Sequence, residues 1–275
     1  MNENTIRMAV IQMSTKTLEK ERNISRSIEL LGQAVREGAK LVILPELCTS
    51  GNELKDIEEA KSVSEPIPNG VTTAKWTEFA KENDIYIVGG VCEKSHDSLY
   101  NSAVFIGPDG YEGTYRKIHL WDDEKNLFVP GNQFKIYDTS LAKIGVMICY
   151  DGFFPETTRI LTELGAEIIC QPTAEKQIFD IEMNRARSYE NAIFIATANL
   201  VGREGAIRYA GHSQITNPRG EIIARELEER ESVLITDIDV SEATARKQIT
   251  KLNNILEDRR TDLYSKFLGY TPPQE

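Results

Sequence analysis

No apolar stretch in this 275-residue sequence approaches the roughly 20 residues that a helix needs to cross a bilayer, so nothing in it reads as a membrane span. The opening MNENTIRMAVIQM has no basic stretch followed by an apolar one and does not read as a secretory signal. Cysteine is scarce. Cys48, Cys92, Cys149 and Cys170 stand at wide, irregular intervals that form neither a disulfide framework nor a metal-binding pair. His96, His119 and His212 lack HxH or HxxxH spacing, so a metal-free cytoplasmic protein is the expectation. Positive charge is in the minority: 32 Lys and Arg face 43 Asp and Glu, a net charge of −11. Such a surface repels phosphate backbones, so nucleic acid is not an expected partner. Long Pro/Gly/Ser linkers and low-complexity tracts are also missing, which favours one α/β domain over residues 1–275.

Hydrophobic residues make up 40% and charged residues 27%, a balance that gives a chain of this length a substantial core without disulfide or metal staples. Short β-branched runs bounded by Gly or Pro predict strands at 8–13, 41–44, 85–91, 103–106, 144–149, 167–170, 193–198, 213–216, 222–224 and 233–238. Helical spacing predicts helices at 18–37, 72–82, 155–164, 180–191 and 241–255, with long loops at 55–69 and 121–131. One pattern occurs twice. GAKLVILPE (38–46) and GAEIICQPT (165–173) each read as a left-handed glycine cap, a buried strand and a proline that breaks it.

Three segments hold side chains suited to chemistry. In GVMICYDGFFPE (145–156) an apolar strand ends at Cys149 and Pro155 opens a helix, so the thiol sits at a strand-to-helix turn beside free amides. A cysteine at a strand end is more often a small buried hydrophobe. A nucleophilic thiol needs a base, and a carboxylate in an apolar setting has a raised pKa suited to that role. Glu46 directly follows a buried strand in LVILPE, although a glutamate at a strand exit is usually a surface residue. Tetrahedral chemistry also needs positive charge near the oxyanion, and Lys117 lies in YRKIHL (115–120).

In this order the three segments resemble the carbon–nitrogen hydrolase (nitrilase-like) superfamily, in its amidase and carbamoylase branch. The resemblance extends to AVIQM (9–13), FVPG (128–131), RARSYEN (185–191), ANLVG (198–202), YAGHSQITNPRG (209–220) and DRRTDLY (258–264). It implies a four-layer αββα sandwich, with two mixed β-sheets face to face and helices outside. It also implies a Glu–Lys–Cys triad of Glu46, Lys117 and Cys149. Glu124 matches a second family glutamate, with Asp122 and Asp123 as neighbouring alternatives. The backbone amide of Tyr150 is the implied second oxyanion donor.

By this resemblance a small amide or N-carbamoyl compound is cleaved through a thioester with release of ammonia, and no cofactor is required. Nitrile hydrolysis, acyl transfer from the same thioester and a catalytically silent binding protein are the alternatives. Tyr150-Asp151 follows the cysteine where nitrilases have Trp-Glu, and the arginine of omega-amidase-like members is replaced by Gly152, Phe153 and Phe154. That favours a neutral or cationic substrate, with Arg203 and Arg208 as the nearest alternative carboxylate clamp. Trp121 and Phe153 are candidate apolar walls, and Gly152 is expected to leave room over the thiol. The resemblance further implies a homodimer or higher homo-oligomer. Its interface would involve the helices after Cys149 and the tail from about 256 to 275, where Pro272-Pro273 otherwise marks a frayed end.

Overall fold

A computed structural model describes residues 4–268; Pro272-Pro273 and the end of the tail lie outside the described residues. The first half runs β1 (Thr5–Gln12), α1 (Lys20–Arg36), β2 (Leu41–Ile43), α2 (Ile57–Val63), α3 (Val71–Asn83), β3 (Tyr86–Ser95), β4 (Ser98–Gly107), β5 (Gly110–Arg116) and α4 (Glu124–Leu127). The second half begins with β6 (Ile136–Asp138), β7 (Lys143–Val146), α5 (Pro155–Glu163), β8 (Ile168–Thr173), α6 (Ile178–Asn191) and β9 (Phe194–Asn199). It ends with β10 (Val201–Glu204), β11 (Ile207–Ala210), β12 (Gln214–Thr216), β13 (Ile222–Arg225), β14 (Ser232–Asp239), α7 (Ser241–Ala245) and α8 (Thr261–Leu268).

Two six-stranded sheets result, in the orders β14-β1-β2-β3-β4-β5 and β13-β12-β9-β8-β7-β6. Each has a parallel centre, β1-β2-β3 or β7-β8-β9, flanked by antiparallel strands. Alternation along the strands decides the layers. Met8, Val10, Leu41 and Ile43 of one sheet meet Ile144, Val146, Ile168 and Cys170 of the other in a shared core. The intervening Ala9, Ile11 and Val42 pack against Leu30, Leu31 and Ala34 of α1 and Trp76 of α3. On the far side Met147, Ile169 and Ile195 pack with Leu161 of α5. This is the four-layer αββα sandwich, with both strand faces buried as parallel sheets require.

The repeated sequence pattern has a structural counterpart. Gly38 and Gly165 take φ of +83° and +100°, ending the α1 and α5 segments before β2 and β8, the middle strands of the two parallel sets. Other expectations need correction. The helix expected over 241–255 stops at Ala245, because side chains of Thr250 and Asn254 accept hydrogen bonds from nearby backbone amides and hold a turn instead. The expected loop at 55–69 contains α2, capped by the Asp56 carboxylate, and that at 121–131 contains α4. The strand expected to reach Cys149 ends at Val146, and Cys149–Phe153 form a 3-10 turn. Among the described residues no helix is long and apolar enough to cross a membrane.

One close approach positions the end of β2. Gly90 of β3 donates its amide to Pro45 O at 3.0 Å. A Cβ there would lie 2.4 Å from Leu47 N and 2.6 Å from Glu46 Cα, both backbone atoms. Gly90→Ala is expected to shift the Glu46 loop and to cost about 1–3 kcal/mol in a urea unfolding measurement. Gly32→Ala on α1, where the nearest atom to an added Cβ is a flexible arginine tip at 3.5 Å, is expected to gain roughly 0.5–1 kcal/mol in the same measurement. Equal effects of the two would contradict the steric reading.

Candidate active site

The ends of β2, β5, β7 and β8 converge at one edge of the sandwich, and the loops after them carry Glu46, Lys117, Cys149 and Glu175. Lys117 is fixed from both sides of its peptide. Its amide donates to Asn101 O at 2.8 Å, and its carbonyl accepts from Gly131 N at 2.8 Å. Gly131 passes so close to the Arg116 carbonyl that a Cβ would sit 2.1 Å from that oxygen, so the FVPG element clasps the lysine only because it ends in glycine. The Lys117 side chain is 1% exposed, and its Nζ donates to Glu46 Oε1 and Glu124 Oε2, each at 2.7 Å. Asn101 Nδ2 also donates to both glutamates, at 2.7 and 2.6 Å. Glu124 additionally accepts from Trp121 N at 2.7 Å. Asp122 and Asp123 are exposed, so it is Glu124 that faces the lysine.

Cys149 occupies the left-handed region at φ +45°, a conformation that only surrounding contacts sustain. Asp151, fully buried, supplies many of them. Its Oδ2 accepts from Ile148 N at 3.0 Å and the Tyr115 hydroxyl at 2.7 Å, and its Oδ1 accepts from His119 N at 2.9 Å. Gln171 Nε2 donates to Cys149 O at 3.1 Å, and Arg187 donates to the carbonyls of Gly152 and Phe153. Gly152 does not line the cavity over the thiol. It is turned inward, where a Cβ would meet Gln171 Nε2 at 2.6 Å, so this glycine serves the packing of the turn.

Glu46, Lys117, Glu124 and Cys149 share a cavity of about 370 Å³, in the range of small-molecule sites. Trp121, Tyr150 and Phe153 form its aromatic side, with the Trp121 and Tyr150 rings edge-on at 4.7 Å. Ala174, Glu175, Lys176 and Asp180 form another part of the lining. Arg203 and Arg208 do not line it. They face each other across the β10–β11 hairpin, and Arg208 pairs with Glu229.

Glu175 and Asn101 are the site residues that sequence reasoning missed. The repeated pattern held a signal for the first, since it aligns Thr173 with Glu46 and places the residues after β8 at the same edge as those after β2.

Burial dominates the electrostatics. It pushes the Glu46 carboxyl up, against the pull of Lys117. It opposes the Lys117 charge as well, but Glu46, Cys149 and Glu124 outweigh it and hold the ammonium well above its ordinary range. Burial, Glu175 and Glu46 together push the Cys149 thiol up, with Lys117 opposing them. Burial also raises Glu175 to about 7. Cys48, Cys92 and Cys170 are buried, and burial raises all three thiols. Among the described residues no group of three or more His, Cys, Asp or Glu is placed to hold a metal ion.

The carbon-nitrogen hydrolase family profile matches residues 7–248. A protein named nitrilase from Pyrococcus abyssi is 38% identical over 260 residues, covering 94% of this chain and 99% of that protein. Omega-amidase NIT2 of Homo sapiens is 33% identical over 282 residues, covering 95% of this chain and 97% of its own. Among solved structures, Nit3 of Saccharomyces cerevisiae superposes with a TM-score of 0.83 at 24% identity, covering 94% of this chain and 97% of that one. An amidase from a Nesterenkonia species superposes at 0.81 with 22% identity, covering 97% of each chain. With its family profile, its long relatives and its αββα fold in agreement, the chain belongs to the carbon–nitrogen hydrolase family and is an amidohydrolase of non-peptide C–N bonds.

Proposed function

We propose that this protein hydrolyses a small amide or N-carbamoyl compound through a thioester on Cys149. The observation that carries the reading is the meeting of a partly exposed thiol with a buried ammonium and its two carboxylates in one small cavity. The Cys149 thiol proton passes to Glu46 as sulfur bonds to the carbonyl carbon. Glu46 suits this exchange because burial has raised its carboxyl, and because Lys117 and Asn101 occupy only its Oε1. Negative charge then develops on the carbonyl oxygen, where Lys117 Nζ and the Tyr150 amide act as donors.

The carbon–nitrogen bond breaks as Glu46 returns the proton to nitrogen, releasing ammonia or an amine and leaving the acyl group on sulfur. Water then loses a proton to Glu46 and attacks the thioester, and the proton returns to sulfur as the acid departs. Glu124 keeps Lys117 oriented throughout. Among the described residues no arginine lines the cavity, which supports a neutral or cationic substrate over a carboxylate-bearing one.

Cys149→Ala is expected to abolish ammonia release from an amide panel while leaving the thermal unfolding midpoint nearly unchanged; retained turnover would end the mechanism. Glu46→Gln keeps the shape and removes the base, so a loss of roughly 10²–10⁴-fold in kcat is expected. A kcat within about threefold of the original would assign the proton to another group.

A homo-oligomer is part of the same reading. Phe179 and Tyr189 of α6, one of the helices expected at an interface, are 71% and 57% exposed, which supports that expectation. Arg259, at the start of the tail, pairs with Glu163 at the end of α5. Sedimentation is expected to give at least a dimer, and Phe179→Glu to shift it toward monomer. A monomeric parent protein would refute the assembly alone.

A further inference from the structure

The mechanism leaves one buried carboxylate of the cavity lining unused. Glu175 is only 9% exposed, and its Oε1 accepts a hydrogen bond from Cys149 Sγ at 3.3 Å. Its backbone is locked: the amide donates to Asn199 Oδ1 at 2.7 Å, and the carbonyl accepts from Asn199 Nδ2 at 3.2 Å and from Ala210 N at 2.9 Å. Among the described residues no lysine or arginine forms an ion pair with it. Lys117 is committed to Glu46 and Glu124, and Lys176 lies 3.7 Å from Glu53. The other side chain bonded to Glu175 is itself a carboxyl, Asp180 of α6. A rigidly held, mostly buried carboxylate without a countercharge is costly to ionise unless a cation visits it. The aromatic side of the same cavity, Trp121, Tyr150 and Phe153, suits a cation as well, because ring faces attract positive charge.

From this arrangement we infer that Glu175 is a specificity residue that binds a positive charge on the substrate, so that the preferred substrate is a small amide or carbamoyl compound bearing a protonated amine, amidine or guanidine on a short chain. The inference rests on Cys149 being the nucleophile. Proximity limits the chain: an oxygen 3.3 Å from the sulfur reaches a cation only a few bonds from the carbon under attack. Recognition is also coupled to chemistry. Glu175 and Glu46 both push the thiol up, and a cation seated on Glu175 offsets the larger of these two effects, favouring the thiolate when substrate is present.

The groups facing Glu175 are Cys149 from the turn after β7, Glu46 after β2, Lys117 after β5 and Asp180 on α6; burial, helped by Asp180 and Glu46 and opposed by Cys149 and Lys117, brings its carboxyl to about 7. Below that pH the empty site is mostly neutral. A cationic substrate therefore binds more tightly as pH rises through about 7, and a neutral one gains nothing from the change.

Steady-state kinetics with three amides of similar size test this: β-alaninamide (cationic), butyramide (neutral) and succinamate (anionic). The expected wild-type order in kcat/KM is β-alaninamide first, by about tenfold or more, and succinamate last. Glu175→Gln is expected to shrink the ratio of β-alaninamide to butyramide by roughly 10- to 100-fold, the scale of a lost charged hydrogen bond, and to flatten the pH dependence of KM for β-alaninamide. Glu175→Asp keeps the charge and should keep part of both. If the glutamine variant does not fold, the aspartate variant and the wild-type pH profile carry the test. Preference for butyramide or succinamate, or a ratio unchanged within about threefold in Glu175→Gln, would overturn the inference. Turnover of butyramide without charge preference removes this inference alone. Turnover of none of the three, with Cys149 left unlabelled by 2-chloroacetamide, removes the hydrolase reading beneath it.

Discussion

A single ammonium group, that of Lys117, sits in the interior between two carboxylates, and much of its surroundings serves to keep it there. Removing an ion pair from water costs more than an unaided Coulomb contact returns. The cost is offset here by number and geometry: two short contacts at 2.7 Å, an asparagine that binds both carboxylates, and a backbone clasp on either side of the lysine. Two carboxylates and one ammonium leave a formal charge of −1 when all three are ionised. Burial raises Glu46 against the pull of Lys117, with Glu124 adding to the rise, while the two carboxylates help hold Lys117 protonated, so the same set contains a raised carboxyl and a fixed positive charge.

The sandwich explains how residues 46, 117, 149 and 175 arrive at one place. The first sheet is built from the first half of the chain plus β14 and the second sheet from the second half; each has a parallel centre, and the strand ends of both reach the same edge. The first sheet delivers Glu46 and Lys117, and the second delivers Cys149 and Glu175. Asp151 joins them: it binds Tyr115 of β5 and the amide of His119 from the first half while fixing the turn that carries the thiol. The strained φ of Cys149 is therefore upheld by contacts from both sheets.

Glu46 and Cys149 were legible because each follows a buried strand within a dense local motif, whereas Lys117 follows the half-exposed β5 and was legible only through the YRKIHL motif. The central strands and the helices packed on them were legible for a related reason, since their apolar periodicity is long enough to be unambiguous. What escaped was set by partners distant in sequence. Glu175 lies in a loop with no motif of its own; the repeated pattern brings that loop to the edge of the site, and the contact with Cys149 singles out the residue. Gly152 was misread because a missing side chain makes room on whichever side has a neighbour, and here that neighbour is Gln171 beneath the turn. The helix expected over 241–255 had adequate spacing, but the polar side chains of Thr250 and Asn254 offered the backbone a competing set of bonds.

The division of the site between the two sheets has a consequence for the chain before it is complete. Neither sheet alone carries both the Cys149 sulfur and the Lys117 ammonium, so the two meet only where the sheets do. The grouping of sulfur, ammonium and carboxylates in one cavity therefore exists only once the two sheets have closed on each other.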